Sequence, residues 1–118
     1  MKVMYFSCFL LLASCKTDNK MHTIMNGKWD LTYGEYNGQP APGLEKIYFS
    51  FHNDSLKTNF SATAEEVEST FKLNEKKLIQ QTQDPVVYDI EELTDSIMKL
   101  KTELRGSDFI LTLTKNVK

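Results

Sequence analysis

Residues 86–104 read VVYDIEELTDSIMKLKTEL, and the fold depends on how this stretch is interpreted. Its aliphatic residues recur at steps of three and four, the period of an amphipathic helix. They are Ile90, Leu93, Ile97, Leu100 and Leu104. The stretch also divides into two runs of alternating apolar and polar residues around Thr94-Asp95, a pair with turn propensity. It therefore predicts either one helix or a hairpin of two strands.

Short runs of alternating apolar and polar residues occupy the chain on both sides of this stretch. Turn residues, among them Asn53-Asp54 and Asn74-Glu75, separate these runs at close spacing. With 86–104 taken as a hairpin, eight strands are expected at 27–36, 45–52, 55–62, 67–73, 77–82, 86–93, 96–104 and 107–115. This pattern predicts an all-β antiparallel meander. A competing prediction for 63–70 is a short helix, because Thr63 and Glu66 have the spacing of a capping box.

The N-terminal residues differ from the rest of the chain. Residues 1–14 begin with a single cation, Lys2, and continue with an apolar run of about 11 residues, where a membrane-spanning helix needs about 20. This length and charge predict an export signal rather than a membrane span. Residues 15–26 are polar and lack periodicity, so they are expected to be a tether that precedes a domain at 27–118.

The end of the export signal carries a short motif. Leu12-Ala13-Ser14-Cys15 resembles the lipobox of bacterial lipoproteins, in which the cysteine becomes the lipidated N-terminus. The resemblance implies that Cys15 carries acyl chains such as palmitate and anchors the protein in a membrane. Cys8 would leave with the signal, so the domain would have no disulfide. The expected location is the bacterial outer membrane, facing the periplasm, with the cell surface as the alternative.

The first predicted strand opens with Gly27-Lys28-Trp29, which resembles the start of the lipocalins and related barrels. Further segments extend the resemblance to lipocalin-like domains of small bacterial lipoproteins, namely 47–51, 70–73, 77–79, 88–95 and 109–115. It implies an eight-stranded antiparallel up-and-down meander barrel that Trp29 closes at one end. It also makes Thr94-Asp95 a hairpin turn, so for residues 90–104 it favours two strands rather than one helix. In function, it implies the binding of a small hydrophobic molecule.

The composition excludes several other functions. The 118 residues include 14 basic and 16 acidic ones, and a formal net charge of -2 does not provide the basic face that a nucleic-acid binder needs. The two histidines, His22 and His52, have no cysteine or carboxylate at ligand spacing. No metal, no cofactor and no enzymatic activity are therefore predicted, and a monomer is expected.

The candidate ligand-binding residues are aromatic side chains of the predicted interior. Trp29, Tyr33, Phe49, Phe51 and Tyr88, joined by Leu31, Phe60 and Phe109, are expected to line one apolar space. The leading hypothesis is a non-catalytic envelope lipoprotein that binds a small hydrophobic molecule. The alternative is a barrel filled by side chains that acts as a protein-interaction or inhibitor module. In that case the loop 37–43 would contact an envelope protein.

Two serines lie in a motif that resembles an O-glycosylation site of exported bacterial proteins. The motif is Asp-Ser followed by an aliphatic residue, at Ser55 and Ser96, and both serines lie at predicted turns. Ordinary turn chemistry explains the same pairs.

Overall fold

The computed structural model describes residues 20–61, 63 and 65–116. Nine strands follow one another in this part of the chain: β1 Gly27–Tyr36, β2 Gln39–Pro40, β3 Tyr48–His52, β4 Ser55–Thr58, β5 Val67–Asn74, β6 Lys77–Gln81, β7 Val86–Leu93, β8 Ile97–Leu104 and β9 Ser107–Lys115. A 3₁₀ turn covers Pro42–Leu44, and residues 20–25 are helical. The predicted signal at 1–14 and Cys15 lie outside the described residues.

The sheet closes on itself. From β3 to β9 each strand pairs antiparallel with the next one in the chain, and β1 pairs with both β3 and β9. These eight strands form a closed up-and-down barrel, which confirms the predicted fold class. The short β2 is an additional strand that folds back on the end of β1 through an Asn37-Gly38 turn.

The stretch 86–104 forms the hairpin β7–β8, so its interpretation as a helix is wrong. The Thr94 hydroxyl accepts hydrogen bonds from the backbone N–H groups of Ser96 and Ile97, at 3.3 and 2.9 Å, and fixes the turn. A β-bulge between Ile90 and Glu92 adds one residue to β7. Because of the bulge, Leu93 faces the interior although it lies three residues after Ile90, an odd spacing that a regular strand would not allow. This spacing of three between interior residues is what made the sequence resemble a helix. The helix predicted at 63–70 is also wrong, because β5 begins at Val67.

A second bulge changes the phase of β1. The register against β9 shifts between Leu31 and Tyr33. Trp29 and Leu31 face the interior, but beyond the bulge Gly34 is buried and Tyr33 is exposed. A Cβ at Gly34 would lie 3.1 Å from Cδ1 of Leu44 and 3.3 Å from Cδ2 of Leu31, so a larger residue there would require these side chains to shift.

One end of the barrel is closed by Trp29 and the helical residues 20–25. The Trp29 indole Nε1–H donates to the Met25 carbonyl at 2.8 Å, and both side chains are fully buried. The Lys115 ammonium lies 5.2 Å from the Trp29 ring centroid and donates to the Ile24 carbonyl at 2.7 Å. Of the tether predicted at 15–26, residues 20–25 are helical and pack onto this closed end. Residues 15–19 lie outside the described part.

Candidate ligand-binding site

Aromatic side chains fill the interior next to the closed end. The ring of Phe49 lies 5.6 Å from that of Tyr88 in an edge-on contact, and Phe51 makes a similar contact with Phe71 at 5.2 Å. All four rings are at most 2% exposed. Four of the five predicted ligand-binding residues, Trp29, Phe49, Phe51 and Tyr88, are thus placed in the packed core.

The fifth predicted residue, Tyr33, lies on the outside of the barrel. The prediction of an inward Tyr33 assumed strict alternation along β1, which the bulge after Leu31 interrupts. The Tyr33 side chain is 46% exposed, and its hydroxyl donates to Glu35 at 3.1 Å. That hydrogen bond raises the pKa of Tyr33 above its ordinary value. Tyr33 lies in an outer groove of about 300 Å³ together with Pro40 and Pro42.

A larger cavity opens at the end of the barrel opposite Trp29. Its volume is about 600 Å³, within the range of small-molecule sites. The end of β1, the loop that follows the 3₁₀ turn, the segment after β4 and the β8–β9 hairpin surround it. Its lining consists of Tyr36, Gly43, Leu44, Lys46, Ile47, Asn59, Phe60, Ser61, Leu104, Arg105, Ser107 and Phe109. We call this space the mouth cavity.

Phe60 forms the floor of the mouth cavity. Its side chain is 5% exposed, and its ring makes an edge-on contact with Phe109 at 5.1 Å. Below it, the rings of Phe49 and Tyr88 each lie 6.2 Å away. The Phe60 backbone N–H donates to the Thr58 hydroxyl at 3.0 Å, which fixes the segment after β4. Phe60 therefore separates the mouth cavity from the packed core.

Polar groups fix the rim of the mouth cavity. The Asn59 side chain accepts from the Tyr48 N–H at 3.0 Å and donates to the Lys46 carbonyl at 2.9 Å. The Ser107 hydroxyl donates to the Tyr36 hydroxyl at 3.1 Å. These bonds tie the loop at 44–47 to the segment after β4, and the β8–β9 hairpin to β1. The cavity wall is therefore preorganised.

Most buried polar side chains of the core form hydrogen bonds with other groups of the same chain. The Tyr88 hydroxyl donates to Gln80 at 3.2 Å, and burial raises the pKa of Tyr88 far above its ordinary value, so the phenol stays neutral. Thr58 and Thr102 donate to backbone carbonyls at 2.7 Å. Among described residues, the hydroxyl of Ser69 is the one buried side-chain group without a partner. The core thus has few hydrogen-bonding groups left to bind a ligand.

The histidines lie apart from the mouth cavity. His22 contacts the Phe71 ring at the closed end, with 5.3 Å between the ring centroids, and His52 is exposed on β3. Within residues 20–61, 63 and 65–116, no three His, Cys, Asp or Glu side chains are grouped closely enough to hold a metal ion.

The order of these elements, a Gly-x-Trp strand at the closed end followed by a meander of eight strands, corresponds to a known domain. The lipocalin-like domain family matches residues 25–100. The chain belongs to this family. The match begins at Met25, the residue whose carbonyl holds the Trp29 indole.

Two solved structures resemble this lipocalin-like domain. A lipocalin-like protein from Bacteroides uniformis is 14% identical, with a TM-score of 0.57, covering 79% of this chain and 99% of its own. An uncharacterized protein from Bacteroides eggerthii is 16% identical, with a TM-score of 0.55, covering 78% and 99%. At these identities the likeness concerns the fold alone. No curated protein matches the chain.

The sequence pattern predicts only part of the lining of the mouth cavity in this lipocalin-like domain. Phe60 and Phe109 were expected in the interior and do line the cavity. Tyr36 was missed because the β1 bulge gives no clear sequence signal. Leu44 was missed because it lies in the 3₁₀ turn, where alternation carries no information. Lys46 was missed because it falls in the strand predicted at 45–52, as a polar residue of the outer face, whereas β3 begins at Tyr48. The Arg105-Gly106 pair falls between the strands predicted at 96–104 and 107–115, but no sequence pattern indicates that it belongs to the rim of the cavity.

Proposed function

We propose that this lipocalin-like domain binds a small apolar molecule in the mouth cavity and performs no catalysis on it. The observation that carries the proposal is a preorganised cavity of about 600 Å³ in which six of the twelve lining residues are aliphatic or aromatic and polar side chains provide most of the rest. Phe60 limits its depth, so the ligand would lie at the end of the barrel rather than along its axis. This differs from the predicted position among Trp29, Phe49 and Tyr88.

Two tyrosines on the same strand test this position. Tyr33 and Tyr36 are each 46% exposed, but only Tyr36 lines the mouth cavity. The neutral fluorophore N-phenyl-1-naphthylamine is titrated into the wild type, Tyr36→Ala and Tyr33→Ala. Loss of the Tyr36 ring is expected to weaken binding about tenfold, since it removes roughly 1–2 kcal/mol of apolar contact.

Tyr33→Ala is the matched control and is expected to leave the affinity of the probe unchanged. If both folded variants bind the probe as the wild type does, the mouth cavity is not the site. If the folded wild type binds no probe, the proposed function itself is wrong.

A protein-interaction or inhibitor module is a second candidate, and the outer groove favours it. This groove contains the exposed ring of Tyr33 and two rigid residues, Pro40 and Pro42. The two prolines belong to the loop 37–43, which is predicted to contact a partner. Exposed aromatic residues are frequent in binding hot spots. Under this alternative, Tyr33→Ala would abolish the effect on a partner and leave the binding of the probe intact.

We further propose that the protein is a lipoprotein anchored through Cys15 in the bacterial outer membrane. The lipobox-like 12–15 and the preceding apolar run support the anchor. No helix within residues 20–61, 63 and 65–116 has the length and apolar character to cross a membrane. Cys15→Ser is expected to move the protein from the membrane fraction to the soluble fraction. An unchanged distribution, or a mature N-terminus at another residue, would contradict the anchor.

The anchor would also set the orientation of the barrel. Cys15 precedes Lys20 by five residues, which span at most about 18 Å. Residues 20–25 pack at the closed end, next to Trp29. The closed end would therefore face the membrane, and the mouth cavity would open away from it.

A further inference from the structure

The two serines that follow an aspartate and precede an aliphatic residue lie in different parts of the barrel. Ser55 is the first residue of β4, where it pairs with His52 of β3 and with Thr70 of β5. Ser96 lies in the connection between β7 and β8, directly before Ile97. One of the two identical motifs is therefore built into the barrel wall, and the other belongs to a hairpin turn.

The aliphatic residue of the motif is accessible at one site alone. Leu56 is fully buried in the core, whereas Ile97 is 37% exposed, on the outer face of β8. Asp95 and Ser96 are exposed as well. An enzyme that reads these residues on a folded protein can therefore contact the whole triplet 95–97. At 54–56 the same enzyme would have to unfold the barrel to reach Leu56.

The two serine hydroxyl groups differ in the same direction. The Ser55 hydroxyl donates to the Glu68 carboxylate at 3.4 Å. The Ser96 hydroxyl makes no hydrogen bond with any residue that the structure describes. Its backbone N–H donates to the Thr94 hydroxyl at 3.3 Å, and its carbonyl accepts from the Lys115 N–H at 2.9 Å. The turn thus fixes the backbone of Ser96 and leaves its hydroxyl oxygen free to react.

From these differences we infer that Ser96 is an O-glycosylation site and that Ser55 is not. Glycans are attached to surface residues, because their bulk and polarity do not fit into a packed core. Exposed turns are also the places where another enzyme most readily reaches a folded chain. The inference concerns a site at the opposite end of the barrel from the mouth cavity. It requires that the protein is exported, and it does not depend on the proposed ligand.

The attachment is a substitution at the anomeric carbon of a sugar that is linked to a carrier through a diphosphate. The Ser96 hydroxyl oxygen forms a bond to this carbon, and the bond from the carbon to the diphosphate oxygen breaks. The carrier diphosphate leaves with the electron pair, and the hydroxyl proton passes to a base of the transferase. No oxidant or reductant takes part, so the free hydroxyl is all that the domain supplies.

Mass spectrometry of the protein purified from the envelope of the bacterium that produces it tests the inference. The intact mass shows whether a sugar is attached, and fragmentation of the peptides by electron transfer locates it. We expect a glycan on Ser96 and an unmodified Ser55. Ser96→Ala is expected to lose the glycan, and Ser96→Thr, which keeps a hydroxyl, to retain it. Ser55→Ala is the matched control and should carry the same glycan as the wild type.

A variant of the neighbouring residue tests whether the exposed triplet is read as a unit. Ile97→Asp keeps the Ser96 hydroxyl and removes the exposed aliphatic side chain, so the glycan is expected to be lost. Circular dichroism shows whether each variant remains folded. Since Ser96 and Ile97 are both on the surface, we expect wild-type spectra for all of them.

Several results would overturn the inference. They are an unmodified Ser96 in the exported wild type, a glycan on Ser55, and a phosphate or an acyl group on Ser96 in place of a sugar. A wild-type protein that stays inside the cell would remove the required export and overturn it as well. None of these results bears on the binding of N-phenyl-1-naphthylamine in the mouth cavity, so the two proposals fail separately.

Discussion

Replacement of Trp29 by alanine is expected to lower the free energy of unfolding by about 3–5 kcal/mol, the range observed when a large aromatic side chain is removed from a core. The Trp29 side chain is fully buried, so its loss leaves a large cavity at the closed end. Its indole also holds residues 20–25 on the barrel through the Met25 carbonyl. Since small domains have about 5–15 kcal/mol of stability in total, this loss is severe.

Urea denaturation followed by circular dichroism measures this effect. Trp29→Phe is expected to lower the free energy of unfolding by a smaller amount, about 1–3 kcal/mol. The phenyl ring fills most of the space, but it cannot donate a hydrogen bond to the Met25 carbonyl. Tyr33→Ala is the surface control and should change stability by less than about 0.5 kcal/mol. A Trp29→Ala protein as stable as the Tyr33→Ala protein would contradict the assignment of Trp29 to the closed end.

Filling the mouth cavity by Gly43→Trp is expected to weaken the binding of N-phenyl-1-naphthylamine by at least about tenfold, because the indole occupies the space of the ligand. Gly43 lines the cavity, and a Cβ added there has no atom within 4 Å. Its φ is not positive, so a larger side chain requires no backbone strain. Loss of binding should therefore occur without loss of stability.

Gly43→Ala is the matched control for this variant. It makes the same change in backbone freedom but adds only a methyl group, so it should bind the probe as the wild type does. Fluorescence titration gives both affinities, and urea denaturation shows whether the variants remain folded. Equal affinities of folded Gly43→Trp and Gly43→Ala would place the ligand elsewhere.

The fold could be predicted from the sequence because most strands are locally consistent. Alternation and turn pairs located the strands, and the resemblance of the segment beginning at Gly27-Lys28-Trp29 decided the ambiguous stretch 86–104. The ambiguity had a physical source, since the bulge after Ile90 produces a three-residue step within a strand. Periodicity alone does not distinguish a bulged strand from a helical turn.

The site was harder to predict because it depends on features that are not local. Strict alternation along β1 would direct Tyr33 inward and Tyr36 outward, and the bulge reverses the two. A shift of one residue in register therefore decides which ring reaches the cavity. Lys46 and Arg105 belong to separate connections that meet only after the barrel closes. The sequence also gave no sign that Phe60 would divide the interior into a packed core and an open mouth.

The position of the ligand also determines how binding can be observed. Trp29 is the single tryptophan, and it lies at the closed end, away from the mouth cavity. A change in its fluorescence would be the natural signal for a ligand bound deep in the barrel. For a ligand bound in the mouth, the Trp29 environment should stay constant while groups near Phe60 and Phe109 respond.

The most direct measurement of the central claim is therefore a series of ¹H–¹⁵N correlation spectra of the ¹⁵N-labelled protein, recorded during titration with N-phenyl-1-naphthylamine. We expect saturable chemical-shift changes at Tyr36, Leu44, Phe60 and Arg105, with the Trp29 indole N–H signal unchanged. Changes concentrated at the outer groove around Tyr33, or at the Trp29 indole, would contradict a ligand site in the mouth of the barrel.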